Sequence, residues 1–216
     1  MKKNYQAETE AARKAIADAG LSVVGIEKSD EILEAIAENY KNNGIFKWIC
    51  GGRYNPEIAK AIMDTSIKSL GPKALMYCDR EDNPGSYAIW ITNGSSRIDV
   101  LDFIKTGGKR LVELGGMGAF FRLFSYNLFI MGVKKRHTGH NDWYLFGFTI
   151  KDGLNKNAMS ELMLRPMTEF CWKNNSACYV EMSTAEEVNM FRQVGFQVKE
   201  SSFIPHSNVK YYAMML

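Results

Sequence analysis

The chain has 216 residues, a length that fits one domain with a substantial core. With 46% hydrophobic and 24% charged residues, the composition is that of a globular protein and excludes a disordered chain. The formal net charge of +3 is too small to indicate nucleic-acid binding. The densest basic group, residues 134–136, is typical of a solvated helix end.

Cysteine usage and hydropathy bear on location. The four cysteines show no CxxC spacing, and they predict buried thiols in a reducing compartment. The N-terminal segment is charged and has no apolar core for a signal peptide. The longest apolar stretch, residues 116–133, is interrupted by Arg122, Ser125 and Asn127 and is too broken for a spanning helix. We therefore expect a cytoplasmic protein that does not use a membrane.

The first elements alternate between helix and strand. Residues 6–19 predict an Ala-rich helix that ends at Gly20, and "LSVVGIE" predicts a short strand. An amphipathic helix follows in "SDEILEAIAENYKNN", with Ser29 or Asp30 as its N-cap. Its apolar face contains Ile32, Leu33 and Ile36.

The next helix and hairpin carry clear boundary signals. Asn55 and Pro56 suit the N-cap and first position of a helix that Gly71 ends. Two β-rich runs then flank the turn sequence Asp-Asn-Pro-Gly at residues 82–85, which predicts a hairpin.

Residues 97–140 have a helical pattern with glycine breaks. Three interpretations of the aromatic part of this segment stay open. The first, which we prefer, is that it packs on the sheet. The second is that it forms the wall of an acceptor pocket, and the third is that it rests on a membrane surface. The aromatic residues concerned are Phe120, Phe121, Phe124, Tyr126 and Phe129.

The remaining chain alternates strand and helix: "WYLFGFTI", a helix from about residue 155, "ACYVEMS", "TAEEVNMFRQV", "GFQVKESSF" and "VKYYAMML". A hairpin followed by such crossovers predicts an α/β fold with a mixed sheet and helices on both faces.

Residues 140–200 resemble the coenzyme-binding half of the GNAT-type N-acetyltransferases. The similarity consists of an aromatic strand, a helix, a strand ending in "VEMS" and a helix ending in "FRQVGF", with Phe191 four residues before Gly195. The resemblance implies a GNAT-like, mainly antiparallel sheet flanked by helices in a single domain, 1–216. Residues 1–20 would be an N-terminal helical extension, 97–140 a helical insertion and 141–200 the coenzyme-binding core.

A helix N-terminus offers unpaired amide donors and a partial positive charge, so it suits a diphosphate. The resemblance implies that the helix opening at residue 155 holds the diphosphate of acetyl-CoA. Both glycines usual in the family are replaced here, by Ala158 and Ser160, while an asparagine could supply the turn and Lys156 adds a charge. An ordinary capped helix start is the alternative interpretation. The expected coenzyme contacts are Asn155, Lys156, Asn157, Ala158, Met159 and Ser160.

The strand that precedes this helix would contribute backbone groups to coenzyme binding. In the family it separates from the next strand, and the pantetheine arm lies in the gap, which implies contacts to the backbone of Phe148, Thr149 and Ile150. Phe191 stands where the family often has a tyrosine that protonates the thiolate. Since Phe191 cannot donate, four other hydroxyls are the replacement candidates: Tyr179, Ser183, Tyr211 and Tyr212.

Acetyl transfer requires a base that takes a proton from the amine. Glu181 is the first candidate because it lies near the end of a strand that should face the thioester, although a surface carboxylate would give the same pattern. His140, followed by Asp142, is the second. His137 and His140, three residues apart and beside Asp142, raise the possibility of a metal site, but a third firm ligand is missing, so we expect no metal.

The sequence therefore predicts an N-acetyltransferase that uses acetyl-CoA and a small-molecule or peptide amine, with no nucleic acid, and leaves a homodimer open. A catalytically weak or inactive acyl-CoA-binding module is the alternative.

Overall fold

The computed structural model describes residues 5–92 and 103–216. Residues 97–102, the start of the predicted helical insertion, lie outside these ranges, as do residues 1–4 of the predicted extension. Within them the helices are α1 (Tyr5–Asp18), α2 (Ser29–Asn39), α3 (Gly44–Ile49), α4 (Pro56–Leu70), α5 (Lys109–His137), α6 (Lys156–Lys173) and α7 (Ala185–Gln193). The strands are β1 (Ser22–Val24), β2 (Ala74–Cys78), β3 (Ser86–Thr92), β4 (Trp143–Ile150), β5 (Cys178–Met182), β6 (Gln197–Phe203) and β7 (Lys210–Met215).

The strands form one sheet in the order β1-β2-β3-β4-β5-β7-β6. Only β4 and β5 pair in parallel, and the other neighbours are antiparallel. The predicted mixed, mainly antiparallel sheet is confirmed.

Helices cover both faces of the sheet, as the sequence predicted. One apolar cluster joins the sheet to α2, α3, α4 and α5, and a second joins it to α1, α6 and α7. Every residue of β2 and β3 is buried, because these inner strands are covered on both sides. Edge strand β6 instead alternates between exposed and partly buried residues.

The parallel strands β4 and β5 part soon after they begin. Their pairing is limited to Trp143 with Cys178 and Tyr144 with Tyr179, although β4 continues for six more residues to Ile150. On its other side β4 stays paired with β3 along its whole length. A gap therefore opens in the middle of the sheet.

A β-bulge lies beside this gap. Opposite β3, Ile89 pairs with Gly147 and Trp90 pairs with Leu145, so Phe146 has no opposite residue. Such a bulge bends its strand and leaves backbone groups outside the regular ladder.

Helix α5 consists of two helical pieces joined at a kink, as the glycine break in the sequence predicted. The kink lies at Gly116, whose non-helical φ of +67° suits glycine. By length and composition alone, the described segment Ile104–His137 could cross a membrane, but core helices of soluble proteins meet the same criterion. Of the five aromatic residues, Phe120, Tyr126 and Phe129 pack partly buried against the apolar core, whereas Phe121 and Phe124 are exposed, so the preferred interpretation holds for only part of the set.

The predicted N-cap is correct for α4 and wrong for α2. Asn55 caps α4 as predicted, accepting a hydrogen bond from the Glu57 amide at 3.0 Å. The prediction of a Ser29 or Asp30 cap is wrong, because α2 begins at Ser29 and Lys28 occupies the N-cap position. The short helix α3 was not predicted. All four cysteines are free thiols.

We expect Tyr77→Phe to destabilise the fold. The buried Tyr77 hydroxyl donates to the Met163 carbonyl at 2.6 Å and accepts from Trp90 Nε1 at 2.9 Å, so its removal leaves two buried polar groups unpaired. The expected loss in unfolding free energy is about 1–3 kcal/mol, measured by urea denaturation. The control is Tyr212→Phe, whose hydroxyl makes no hydrogen bond within the described ranges. Equal midpoints for the two variants would contradict the expectation.

Candidate active site

A cavity of about 1370 Å³ occupies the gap between β4 and β5. It extends from the wall formed by α3, α4 and α5 to the N-terminus of α6 and the side of α7. Its volume exceeds the roughly 300–1,000 Å³ of ordinary small-ligand pockets. A long ligand could therefore lie along the gap with its two ends in different surroundings.

Glu181 of β5 lies at the inner end of this cavity. Its Oε2 accepts hydrogen bonds from the hydroxyls of Tyr126 at 2.9 Å and Tyr144 at 3.0 Å. Its Oε1 is out of contact with solvent and has no hydrogen-bond partner among the described residues. One carboxylate oxygen is thus fixed by two tyrosines, and the other remains available as an acceptor.

Lys134 accompanies this carboxylate. It is buried, and its Nζ lies 3.9 Å from the centroid of the Tyr144 ring, in a cation–π contact. Burial lowers the pKa of Lys134 to about 8, while the charge of Glu181 acts in the opposite direction. The prediction that residues 134–136 form a solvated helix end is therefore wrong for Lys134.

Burial also raises the pKa of Glu181 above its ordinary value of 4.5. The positive charge of Lys134 and the hydroxyls of Tyr126, Tyr144 and Tyr179 oppose this shift by stabilising the ionised form. A carboxyl group with a raised pKa is a better proton acceptor near neutral pH than an ordinary surface glutamate. Glu181, the first sequence candidate for a base, thus has suitable surroundings for that role.

The second candidate, His140, is exposed and lies at the edge of the cavity. Its neighbour Asp142 accepts hydrogen bonds from the amides of Gly139 at 2.7 Å and Ala177 at 2.9 Å, so this carboxylate organises a loop. His137 instead contacts Glu200 at 2.8 Å. These side chains do not converge, and no metal-binding group of three His, Cys, Asp or Glu residues occurs in residues 5–92 and 103–216.

The N-terminus of α6 is capped by the protein itself. Asn155 Oδ1 accepts from the amides of Asn157 at 3.1 Å and Ala158 at 3.2 Å, and the Met159 amide bonds to the Asn155 carbonyl. The expectation that these amides are unpaired is therefore wrong. Because the Asn155 side chain is exposed, it could rotate away and release two donors for an anion.

The six residues of this opening have different surroundings. Lys156 and Asn157 line the cavity, and Lys156 also forms an ion pair with Glu186 at 3.0 Å. Ala158 lies on the surface against Ala19 and outside the cavity. Ser160 is fully buried, and its hydroxyl donates to the Lys156 carbonyl at 2.7 Å, so it offers no group to a ligand.

The edge of β4 that faces the gap is partly occupied. The Ile150 carbonyl accepts from Asn39 Nδ2 at 2.7 Å. Burial raises the pKa of the nearby Tyr40 to about 12, and the backbone of Phe148 acts in the opposite direction. Since neighbouring residues of a strand direct their backbone groups to opposite edges, Thr149 directs its own toward β3. The predicted backbone contacts thus remain feasible for Phe148 and Ile150 but not for Thr149.

Phe191 lines the cavity from α7, and its ring packs edge-on against Phe148 with centroids 5.8 Å apart. None of the four replacement hydroxyls named from the sequence lines the cavity. Two of them, Tyr179 and Tyr211, bond to each other at 2.6 Å in the core.

Sequence reasoning missed three groups that contact or balance Glu181: Tyr126, Lys134 and Tyr144. Tyr144 carried a usable signal, because it precedes Phe146 at strand spacing and shares its face, whereas the bulge places Phe148 on the opposite face. Tyr126 was recognised only as one of several helix aromatics. No local pattern distinguishes Lys134 from its exposed neighbours.

The chain was compared with family models, curated proteins and solved structures, and only the solved structures show a similarity. No family model and no curated protein matches the chain. The C-terminal condensation domain of Ebony, solved with beta-alanyl-dopamine, superposes with a TM-score of 0.64 at 9% identity, covering 91% of this chain and 97% of that one. A histone acetyltransferase and related acetyltransferase from Corynebacterium glutamicum gives a TM-score of 0.58 at 15% identity, with 90% and 94% covered.

The aminoglycoside acetyltransferase AAC(6')-Ib, in complex with ribostamycin and coenzyme A, gives a TM-score of 0.53 at 9% identity and 90% coverage of both chains. The chain has the GNAT acetyltransferase fold. The likeness covers 90–91% of this chain in each of these structures, so it concerns the fold as a whole.

The raised pKa of Glu181 predicts a pH-dependent difference between the protein and its Glu181→Gln variant. Above pH 4.5 the unfolded state has lost this proton while the folded state still binds it. The unfolding free energy of the unaltered protein therefore falls, relative to the variant, as pH rises from about 4.5 through the folded pKa. Each unit of raised pKa corresponds to about 1.4 kcal/mol.

Urea denaturation of both proteins between about pH 4 and pH 6.5 measures this difference. This range lies below the titration of Lys134, whose pKa is about 8. A difference that stays constant across the range would contradict the placement of Glu181.

Proposed function

We propose that this protein transfers the acetyl group of acetyl-CoA directly to a primary amine within a ternary complex. The observation that carries the proposal is the Glu181 carboxyl group beside the strand gap, whose pKa is raised and whose buried Oε1 has no hydrogen-bond partner among the described residues. The GNAT fold supports the reaction class, because the compared structures include acetyltransferases and one complex with coenzyme A.

The described residues fit a coenzyme in the gap. Phe148 and Ile150 direct backbone groups into it, and Asn39, which now binds the Ile150 carbonyl, would have to yield. At the outer end, rotation of Asn155 would free two amides beside Lys156 for a diphosphate. Bound acetyl-CoA would supply an acyl group activated as a thioester.

The chain's own groups can then manage the protons. As the amine nitrogen bonds to the thioester carbon and the carbon–sulfur bond breaks, Glu181 Oε1 accepts the proton that the nitrogen loses. The two tyrosines that hold Oε2 keep this carboxylate oriented toward the cavity. The bulge at Phe146 leaves backbone groups beside the gap that can polarise a carbonyl oxygen.

The departing sulfur also needs a proton. Phe191 cannot supply it, and the hydroxyls named from the sequence lie away from the cavity. We assign this role to Lys134, which lines the cavity and has a pKa of about 8, close to that of an ordinary thiol. It also compensates the charge of Glu181 once the base is ionised.

A binding module without catalytic activity is the second candidate function. Phe191 in place of a donor and the Asn155-capped amides favour it, because both weaken features on which the reaction depends in the family. Both candidate functions predict that the protein binds acetyl-CoA, but only the acetyltransferase predicts turnover with an amine.

Calorimetry with acetyl-CoA, followed by thiol release with a panel of primary amines, tests the proposal. We expect binding and amine-dependent release, and we expect Glu181→Gln to reduce turnover by about 10²–10⁴-fold while acetyl-CoA binding persists. Glu200→Gln is the matched control, because Glu200 lies outside the cavity and pairs with Arg136. Binding without release for any amine would favour the module, and absence of binding would refute both.

A second experiment addresses the capped helix. Asn155→Ala removes the side-chain cap, so we expect it to lower the unfolding free energy by about 0.5–2 kcal/mol. The same change leaves the Asn157 and Ala158 amides open to an anion, so we expect acetyl-CoA affinity to stay equal or rise. A loss of affinity would show that the Asn155 side chain itself contacts the coenzyme. Asn55→Ala is the control, since Asn55 caps α4 with its side chain and lies outside the cavity.

A further inference from the structure

The inner part of the cavity is bounded by an apolar wall. Helix α5 provides most of it, and α3 adds one ring; the side chains are Phe46, Phe120, Leu123, Phe124, Ile130 and Met131. Phe124 and Met131 are substantially exposed and line the cavity, so they offer apolar surface to a ligand there.

The carboxylates that line the cavity are unequally available. Asp152 pairs with Lys41 at 3.1 Å, and Glu186 pairs with Lys156 at 3.0 Å. Glu187 is held in the cap of α7, where it accepts from the amides of Ser183 and Thr184. Glu181 remains as the lining carboxylate near the apolar wall, within the part of the chain that the structure describes.

This charge distribution disfavours the binding of a polycationic acceptor in the cavity. Lys134 lies beside Glu181, and Lys135 adds a second ammonium group to the lining, so the inner cavity does not offer a surplus of negative charge. A second ammonium group on the acceptor would have to enter apolar surroundings without a counter-ion, which is strongly unfavourable. An apolar body would instead gain from leaving water.

We infer that the acceptor is a monoamine with an apolar alkyl or aryl body, and not a polyamine or aminoglycoside-like polycation. This inference rests on the proposed acetyl transfer, in which the amine is the acceptor. The preference for an apolar monoamine should appear in binding as well as in reaction. The amine would lie at Glu181 and the body along α5.

A matched pair of amines tests it: hexylamine and 1,6-diaminohexane have the same carbon chain and differ in one terminal ammonium group. We expect kcat/KM for hexylamine to exceed that for the diamine by about tenfold or more. In parallel, calorimetry of each amine with the coenzyme A complex measures the same selection without chemistry.

Two variants of α5 sharpen the test. Phe124→Glu adds a carboxylate to the cavity wall, so we expect it to reduce or reverse the preference. Phe121→Glu is the matched control, because Phe121 is also exposed on α5 but does not line the cavity. Its preference should equal that of the unaltered protein.

The outcomes separate the two proposals. Transfer to the diamine that equals or exceeds transfer to hexylamine would overturn the inference and leave acetyl transfer standing. Selective binding of hexylamine without transfer would support the inference and refute the proposed reaction. Equal preferences in Phe124→Glu and Phe121→Glu, or no binding of either amine, would overturn the inference.

Discussion

The parallel strands β4 and β5 share only two residue pairs before they separate, and the site depends on this separation. A sheet that stayed closed would pair the backbone of Phe148 and Ile150 with β5 and would bury Glu181 among apolar side chains. Open backbone groups inside a protein require partners, and Asn39 provides one for the Ile150 carbonyl. The same contact shows where the backbone of a ligand could replace a side chain.

The carboxylate of Glu181 shows how a charged group can be kept in such a gap. Burial alone would raise the pKa of Glu181 and favour its neutral form. The neutral form cannot accept a proton, so a base must also be able to ionise. The hydroxyls of Tyr126 and Tyr144 and the nearby Lys134 reduce this bias without removing it. The balance gives a group that can change its protonation state during a reaction.

Much of the fold could be predicted from the sequence, because its signals are local. The limits of β4, the cap of α4 and the hairpin turn follow from strand composition, Asn55 and the Asp-Asn-Pro-Gly sequence. The site was predicted less completely. Glu181 could be named from its position in a strand, but its partners come from β4 and α5, and contacts between distant segments leave no spacing to detect.

The helix opening at Asn155 shows a different limit. Its sequence fits both a ligand site and a self-capped helix, and the side-chain rotamer that decides between them is not encoded in residue type. Lys134 illustrates the same point, since its burial depends on the way α5 lies across the sheet and not on its basic neighbours.

Helix α5 both lines the cavity and supplies the Tyr126 hydroxyl that orients Glu181. A shift or rotation of this helix that widened the cavity would also move that hydroxyl away from the carboxylate. Evolution of a new acceptor range on this scaffold should therefore proceed by exchange of side chains on a stationary helix, and the axis of α5 should vary least among descendants that keep the glutamate.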